Sequence, residues 1–141
     1  MGGSWHERAR FERPVLRLDG GPADARLPAA VRKDLGRRLR RLRERGEVEF
    51  RLLHGAGAGE AAVDEHLRLE HHGWKREAGT SLLADQRHAA FFRDMSARFQ
   101  AIGAMVFSEI LVDGVAIAST SNVLLGDTLH AFKSGWDPEF A

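Results

Sequence analysis

The chain has 141 residues, 43% of them hydrophobic, a formal net charge of +1 and no cysteine. That is about one domain of chain with enough apolar content for a core, which excludes wholesale disorder. Without cysteine, disulfides, thiolate metal sites and cysteine nucleophiles are excluded.

No apolar run approaches the roughly 20 residues that span a bilayer. The opening "MGGSWHERARFERP" is charged and has no apolar h-region. Neither a membrane span nor a secretory signal is expected, and a cytoplasmic location fits. Residues 1–12 read as an N-terminal extension, disordered or a cloning remnant, and residues 13–141 as one domain. "RPVLRL" predicts a short strand ahead of the turn "DGGP".

Val31, Leu35, Leu39 and Leu42 then recur at helical spacing. Around them stand Arg32, Lys33, Arg37, Arg38, Arg40, Arg41, Arg43 and Arg45. The pattern predicts a surface helix over 31–45, with Leu35, Leu39 and Leu42 buried and Gly46 at its C-cap. Its cations suit a polyanion such as tRNA, with a plain solvated face as the favoured reading. In "EVEFRLL", Val48, Phe50 and Leu52 alternate with Glu47, Glu49 and Arg51, which predicts a half-buried strand with the apolar row inward. "HGAGAGE" predicts a loop. Glu60 breaks a dinucleotide fingerprint there, and no Gly-Lys-Ser/Thr follows.

Val63, Leu67, Glu70 and Trp74 predict a helix ended by Gly79. Phe91, Phe92, Met95, Phe99 and Ile102 predict another, ended by Gly103, with its aromatic stripe in the core. His66, Glu70, His71 and His72 lack the second histidine at i+4 that a metalloprotease helix uses, so no metal is expected. Ser81, His88 and Asp94 have triad chemistry without a triad signature. From Ala104 the period becomes two. "AMVFSEILV", "VAIASTSNVLL" and "TLHAFKS" predict three strands joined by "DG" and "GD" turns. The order of elements is α+β.

From about Val15 onward, "RKDLGRRLRRLRERGEVEFRLL", "LRLEHHGWKREAG", "AAFFRDMSARFQAIGAMVFSEILVDGVAIAST" and "LHAFKSGWDPEFA" resemble the GNAT-type acyltransferases of the CelD cellulose-biosynthesis group. That group is itself similar to the FemAB aminoacyl transferases. The resemblance implies a mixed, largely antiparallel sheet flanked by helices. It implies transfer of an acyl group from acetyl-CoA, or a related donor, to an amine acceptor. In such folds the carrier's pyrophosphate sits at a helix N-terminus and its pantetheine arm lies along the preceding strand. His130, Ala131, Phe132 and Lys133 are therefore the expected donor-binding segment. Glu109, His130 and Asp137 have the chemistry of a catalytic base, with hairpin pairing and turn formation as structural alternatives for Glu109 and Asp137. The resemblance also implies that the domain is incomplete at Ala141. The expectation is then an inactive fragment that binds acetyl-CoA weakly or not at all and exposes a sheet edge at His130–Lys133, open to self-association. Two alternatives remain beside this reading: a FemAB-like transferase using aminoacyl-tRNA, and a non-catalytic binding module with the same fold.

Overall fold

The computed structural model describes residues 26–140. The expected extension over 1–12 and the expected strand over 13–18 lie outside them. Contacts divide the chain into two units between Arg37 and Arg38.

Helix α1 runs Ala29–Arg43 and has no buried residue. Leu35 is 50% exposed, and Leu39 and Leu42 are half-buried. The expected buried leucine stripe is thus not formed. Arginine, leucine, lysine and alanine are good helix formers without burial. Arg40, Arg41 and Arg43 occupy the last turn, where cations meet the negative end of the helix dipole. Gly46 is not the left-handed C-cap that was expected, since it is absent from the positive-φ glycines of the described residues. Its missing side chain instead makes room for the Asp113 carboxylate. That carboxylate accepts a hydrogen bond from Glu47 N–H at 2.8 Å.

Four strands follow: β1 (Val48–His54), β2 (Met105–Val112), β3 (Val115–Leu125) and β4 (Thr128–Trp136). They form one sheet in the order β1-β2-β3-β4, and every pairing is antiparallel among the described residues. The β2–β3 turn has positive φ at both Asp113 and Gly114, as a two-residue hairpin turn of mirror-image type requires. Between β1 and β2 in sequence lie α2 (Glu60–Glu70), α3 (Trp74–Glu77) and α4 (Gln86–Ala101). The single helix expected over Val63–Trp74 is therefore two helices. Glycine 73, at φ 65°, turns the chain between them.

Helix α2 packs on β3 and β4, and α4 on β2, all on one face of the sheet. The core there is built from Val63, Leu67, Phe92, Met105, Phe107 and Val123. The row of β1 that faces it is not the expected one. Phe50 and Leu52 are 63% and 67% exposed, whereas Arg51 and Leu53 turn inward. The register explains the reversal: Arg51 stands opposite Glu109 and Leu53 opposite Phe107. A slip by one residue would exchange both rows and remove Arg51 from a buried carboxylate. On the outer face, Phe50, Leu52, Ser108, Ile110, Ala118 and Thr120 line an open groove of about 390 Å³.

Candidate functional site

Strand β4 is the last strand of the described sheet, so its far edge is unpaired there. Thr128 to Ala131 are exposed, and Phe132 is 45% exposed. The register against β3 shifts inside the expected donor segment. Ser121 stands opposite Lys133 and Asn122 opposite Ala131, which leaves Phe132 as an extra residue. Such a bulge bends the strand and re-aims its side chains. Phe132 turns to the helix side, where its ring stacks on Phe92 at 6.2 Å between centroids. His130, Ala131, Phe132 and Lys133 are thus contiguous on one irregular, accessible edge strand.

The bulge is tied down by its neighbour strand. Ser121 Oγ accepts from Lys133 N–H at 3.2 Å and donates to Lys133 C=O at 3.2 Å. Asn122 Nδ2 donates to Thr120 O at 2.9 Å, Ser108 Oγ at 3.2 Å and Val106 O at 3.3 Å. Neither residue stands out in the sequence, where "STSN" reads as ordinary strand. The only available signal was a polar run at positions that alternation assigns to the core.

Phe92 continues the ring contacts inward. It stacks on His66 at 5.2 Å, and His66 in turn lies 5.5 Å from Phe107. His66 is fully buried, with Nδ1 3.0 Å from Ser119 Oγ. Its Nε2 has no partner among the described residues. Burial pushes the His66 pKa down to about 4, and the Lys75 charge adds to the shift. The folded protein therefore carries a neutral imidazole where the unfolded chain, near 6.5, would bind a proton. Stability is full above pH 6.5 and falls as pH drops towards 4. A loss of about 2 kcal/mol between pH 7 and pH 5 is expected from this residue alone. Urea midpoints measured across that range provide the check. A His66→Gln variant should lose less, and equal slopes for both proteins would assign the pH dependence elsewhere.

The other predicted residues go to separate places. Glu109 is buried on the helix side of β2, and its Oε2 accepts from Arg51 Nε at 3.0 Å and Nη2 at 2.8 Å. Its Oε1 is buried without a hydrogen-bond partner among the described residues. Asp137 builds the turn after β4: its Oδ1 accepts from Glu139 N–H at 3.0 Å, and its own N–H donates to Ile117 O at 2.7 Å. His130 and Asp137 stand at opposite ends of β4, roughly 20 Å apart along the strand. Glu109, His130 and Asp137 do not converge on one point. Ser81 pairs with His71 at 2.7 Å, and Asp94 with Arg98 at 2.8 Å, so neither engages His88.

Glu70, one turn after His66, acts as a second anchor between α2 and its surroundings. Its Oε2 accepts from Leu82 N–H at 2.7 Å, and its Oε1 lies 3.3 Å from Lys75 Nζ. Lys75 Nζ also donates to Ser134 O on β4. The turn that follows β4 meets the turn after α2, where Gly73 lies against Pro138. His72, Gly73, Trp136 and Pro138 line a small cavity of about 60 Å³ between them.

No helix among the described residues is long and apolar enough to cross a membrane. The family model of an acetyltransferase (GNAT) domain matches residues 29–141. No curated protein matches the chain.

Proposed function

We propose that this chain, which belongs to the acetyltransferase (GNAT) domain family, carries the donor strand of an enzyme that acylates an amine from acetyl-CoA or a related acyl-CoA. The observation that supports the reading is the bulge at Phe132, within the segment His130–Lys133. An edge strand with an unpaired backbone row is suited to a ligand that carries amides, as the pantetheine arm of the carrier does. The bulge interrupts the ladder there and leaves Phe132 without a register partner.

The reaction needs positioning more than covalent help. The amine lone pair attacks the thioester carbonyl, a C–N bond forms, and the C–S bond breaks to release the carrier thiol. The amine proton leaves to a base or to the departing thiolate. A backbone N–H aimed at the developing oxyanion supplies the main stabilisation. Among this chain's residues His130 is the accessible candidate for the base, since Glu109 is buried against Arg51. Within the family we set the chain beside the CelD and FemAB-like groups. Of the segments that carry that resemblance, "HHGW" and "SGWDPEF" meet where Gly73 lies against Pro138.

Calorimetric titration with acetyl-CoA, and separately with tRNA, tests the donor. Weak but saturable acetyl-CoA binding is expected, weakened about tenfold further by Lys133→Glu, because a carboxylate there repels a phosphate-bearing ligand. An unchanged affinity in that variant would remove β4 from the donor site. Binding of tRNA without acetyl-CoA would transfer the reading to an aminoacyl-tRNA donor, for which the cations of α1 are the support.

A further inference from the structure

We propose that Ser121 is a positioning residue for the acyl donor: its hydroxyl bonds both main-chain groups of Lys133 beside the β4 bulge and so fixes the shape of the strand the donor lies against. The proposal rests on the donor-strand reading above.

An extra residue in one strand of an antiparallel pair breaks the alternation of hydrogen bonds. The groups beside it must find other partners or be lost to the fold. In β4 the extra residue is Phe132, and the residue after it is Lys133. Both main-chain groups of Lys133 are taken by one side chain, Ser121 Oγ, which accepts from its N–H and donates to its C=O at 3.2 Å each. Ser121 is fully buried, so water does not compete for that hydroxyl. Only a group that is donor and acceptor at once, on a short stem, can serve both. The adjacent Asn122 amide ties the same stretch of β3 to β2 through Val106 O and Ser108 Oγ. The bulge therefore rests on a stretch of β3 that is itself held.

The consequence reaches the accessible side of β4. With the bulge fixed, Phe132 stays stacked on Phe92, and the backbone around it keeps one conformation. Without the hydroxyl, the Lys133 groups seek other partners, and the segment samples several registers. A ligand that pairs with this strand then binds only the fraction in the competent register, and its apparent affinity falls by that fraction.

The test compares Ser121→Thr with Ser121→Val. The two side chains have the same shape and differ in the hydroxyl alone, so any strain from the added methyl cancels between them. Two readouts are taken: amide hydrogen exchange at Phe132 and Lys133 by NMR, and the dissociation constant for acetyl-CoA. Ser121→Val is expected to exchange at Lys133 about tenfold faster than Ser121→Thr and to bind acetyl-CoA about tenfold more weakly, in line with two lost hydrogen bonds of ordinary strength. Glu49→Ala, on an exposed position of β1, should change neither. Equal exchange in the Thr and Val variants overturns the role of the hydroxyl at the bulge. Faster exchange with equal affinity overturns its role towards the donor. If the unsubstituted chain does not bind acetyl-CoA, the donor reading itself falls and the positioning role with it, while the exchange data still decide whether Ser121 holds the bulge.

Discussion

Gly135→Ala is expected to destabilise the fold by about 3 kcal/mol, the upper end of the range for overpacking. Gly135 is buried in β4, opposite Ser119 of β3. Helix α2 lies directly on it: a Cβ there would overlap the backbone of Leu69 and Glu70. Those atoms belong to the helix main chain, so relief requires moving α2 and not a rotamer. Such a movement also strains the Leu82 N–H bond to the Glu70 carboxylate and the Ser119 contact of His66. The same added methyl at Gly36, inside α1, meets nothing within 4 Å. Gly36→Ala should stabilise by up to about 1 kcal/mol, because glycine costs that much in a helix interior. Chemical denaturation of the two variants gives opposite signs if close approach is the deciding term. A Gly135→Ala loss below about 1 kcal/mol would mean that α2 is not held against β4 as described.

Much of the fold was legible in local pattern. The hairpin turn at Asp113 and Gly114 needs positive φ at both positions, and Asp-Gly announces that. The aromatic stripe of α4 was readable only in part: Phe92 is fully buried and Met95 and Phe99 pack partly buried against the core, but Phe91 and Ile102 are 60% and 72% exposed. What could not be read was set by partners distant in sequence. Alternation in "EVEFRLL" places the apolar row inward, yet the inward row is the one holding Arg51, because Glu109 lies across the strand. The split between α2 and α3 depends on Gly73, whose left-handed turn serves a contact with Pro138 at the far end of the chain. In the candidate site, no local pattern marks His130 to Lys133, and only the family resemblance points to them. The bulge among them was invisible, since it is a property of two strands in register and not of either one. Ser121 carries only a weak local signal, a polar residue in a row that alternation assigns to the core. A serine in a strand is usually solvated, and only the register shows that this one faces the main chain of Lys133.

Arg51→Met should cost about 3 kcal/mol, although β1 is the outermost strand of the sheet among the described residues and the Arg51 side chain is 41% exposed. Its partner decides the magnitude. The Glu109 side chain is fully buried, and both of its hydrogen bonds come from the one guanidinium, through Nε at 3.0 Å and Nη2 at 2.8 Å. Removing the cation leaves a carboxylate in the core with no donor, and breaking one half of a buried pair costs about 3–5 kcal/mol. Exposure of the arginine lets solvent approach, which argues for the lower end of that range. Replacing both residues should cost much less. In Arg51→Met/Glu109→Met the charge is gone and the volumes are nearly kept, so a result within about 1 kcal/mol of the parent is expected. The coupling in this double-mutant cycle isolates the pair from any packing change at β1. Glu109→Gln discriminates further: it keeps an acceptor for Arg51 without the charge, and its loss should fall between those of the single and double methionine variants. If Arg51→Met cost less than about 1 kcal/mol, water would have to reach Glu109, and the carboxylate would return as a candidate base for the transfer. A large loss, with the double variant stable, assigns Glu109 to fixing the register of β1 through its ion pair with Arg51.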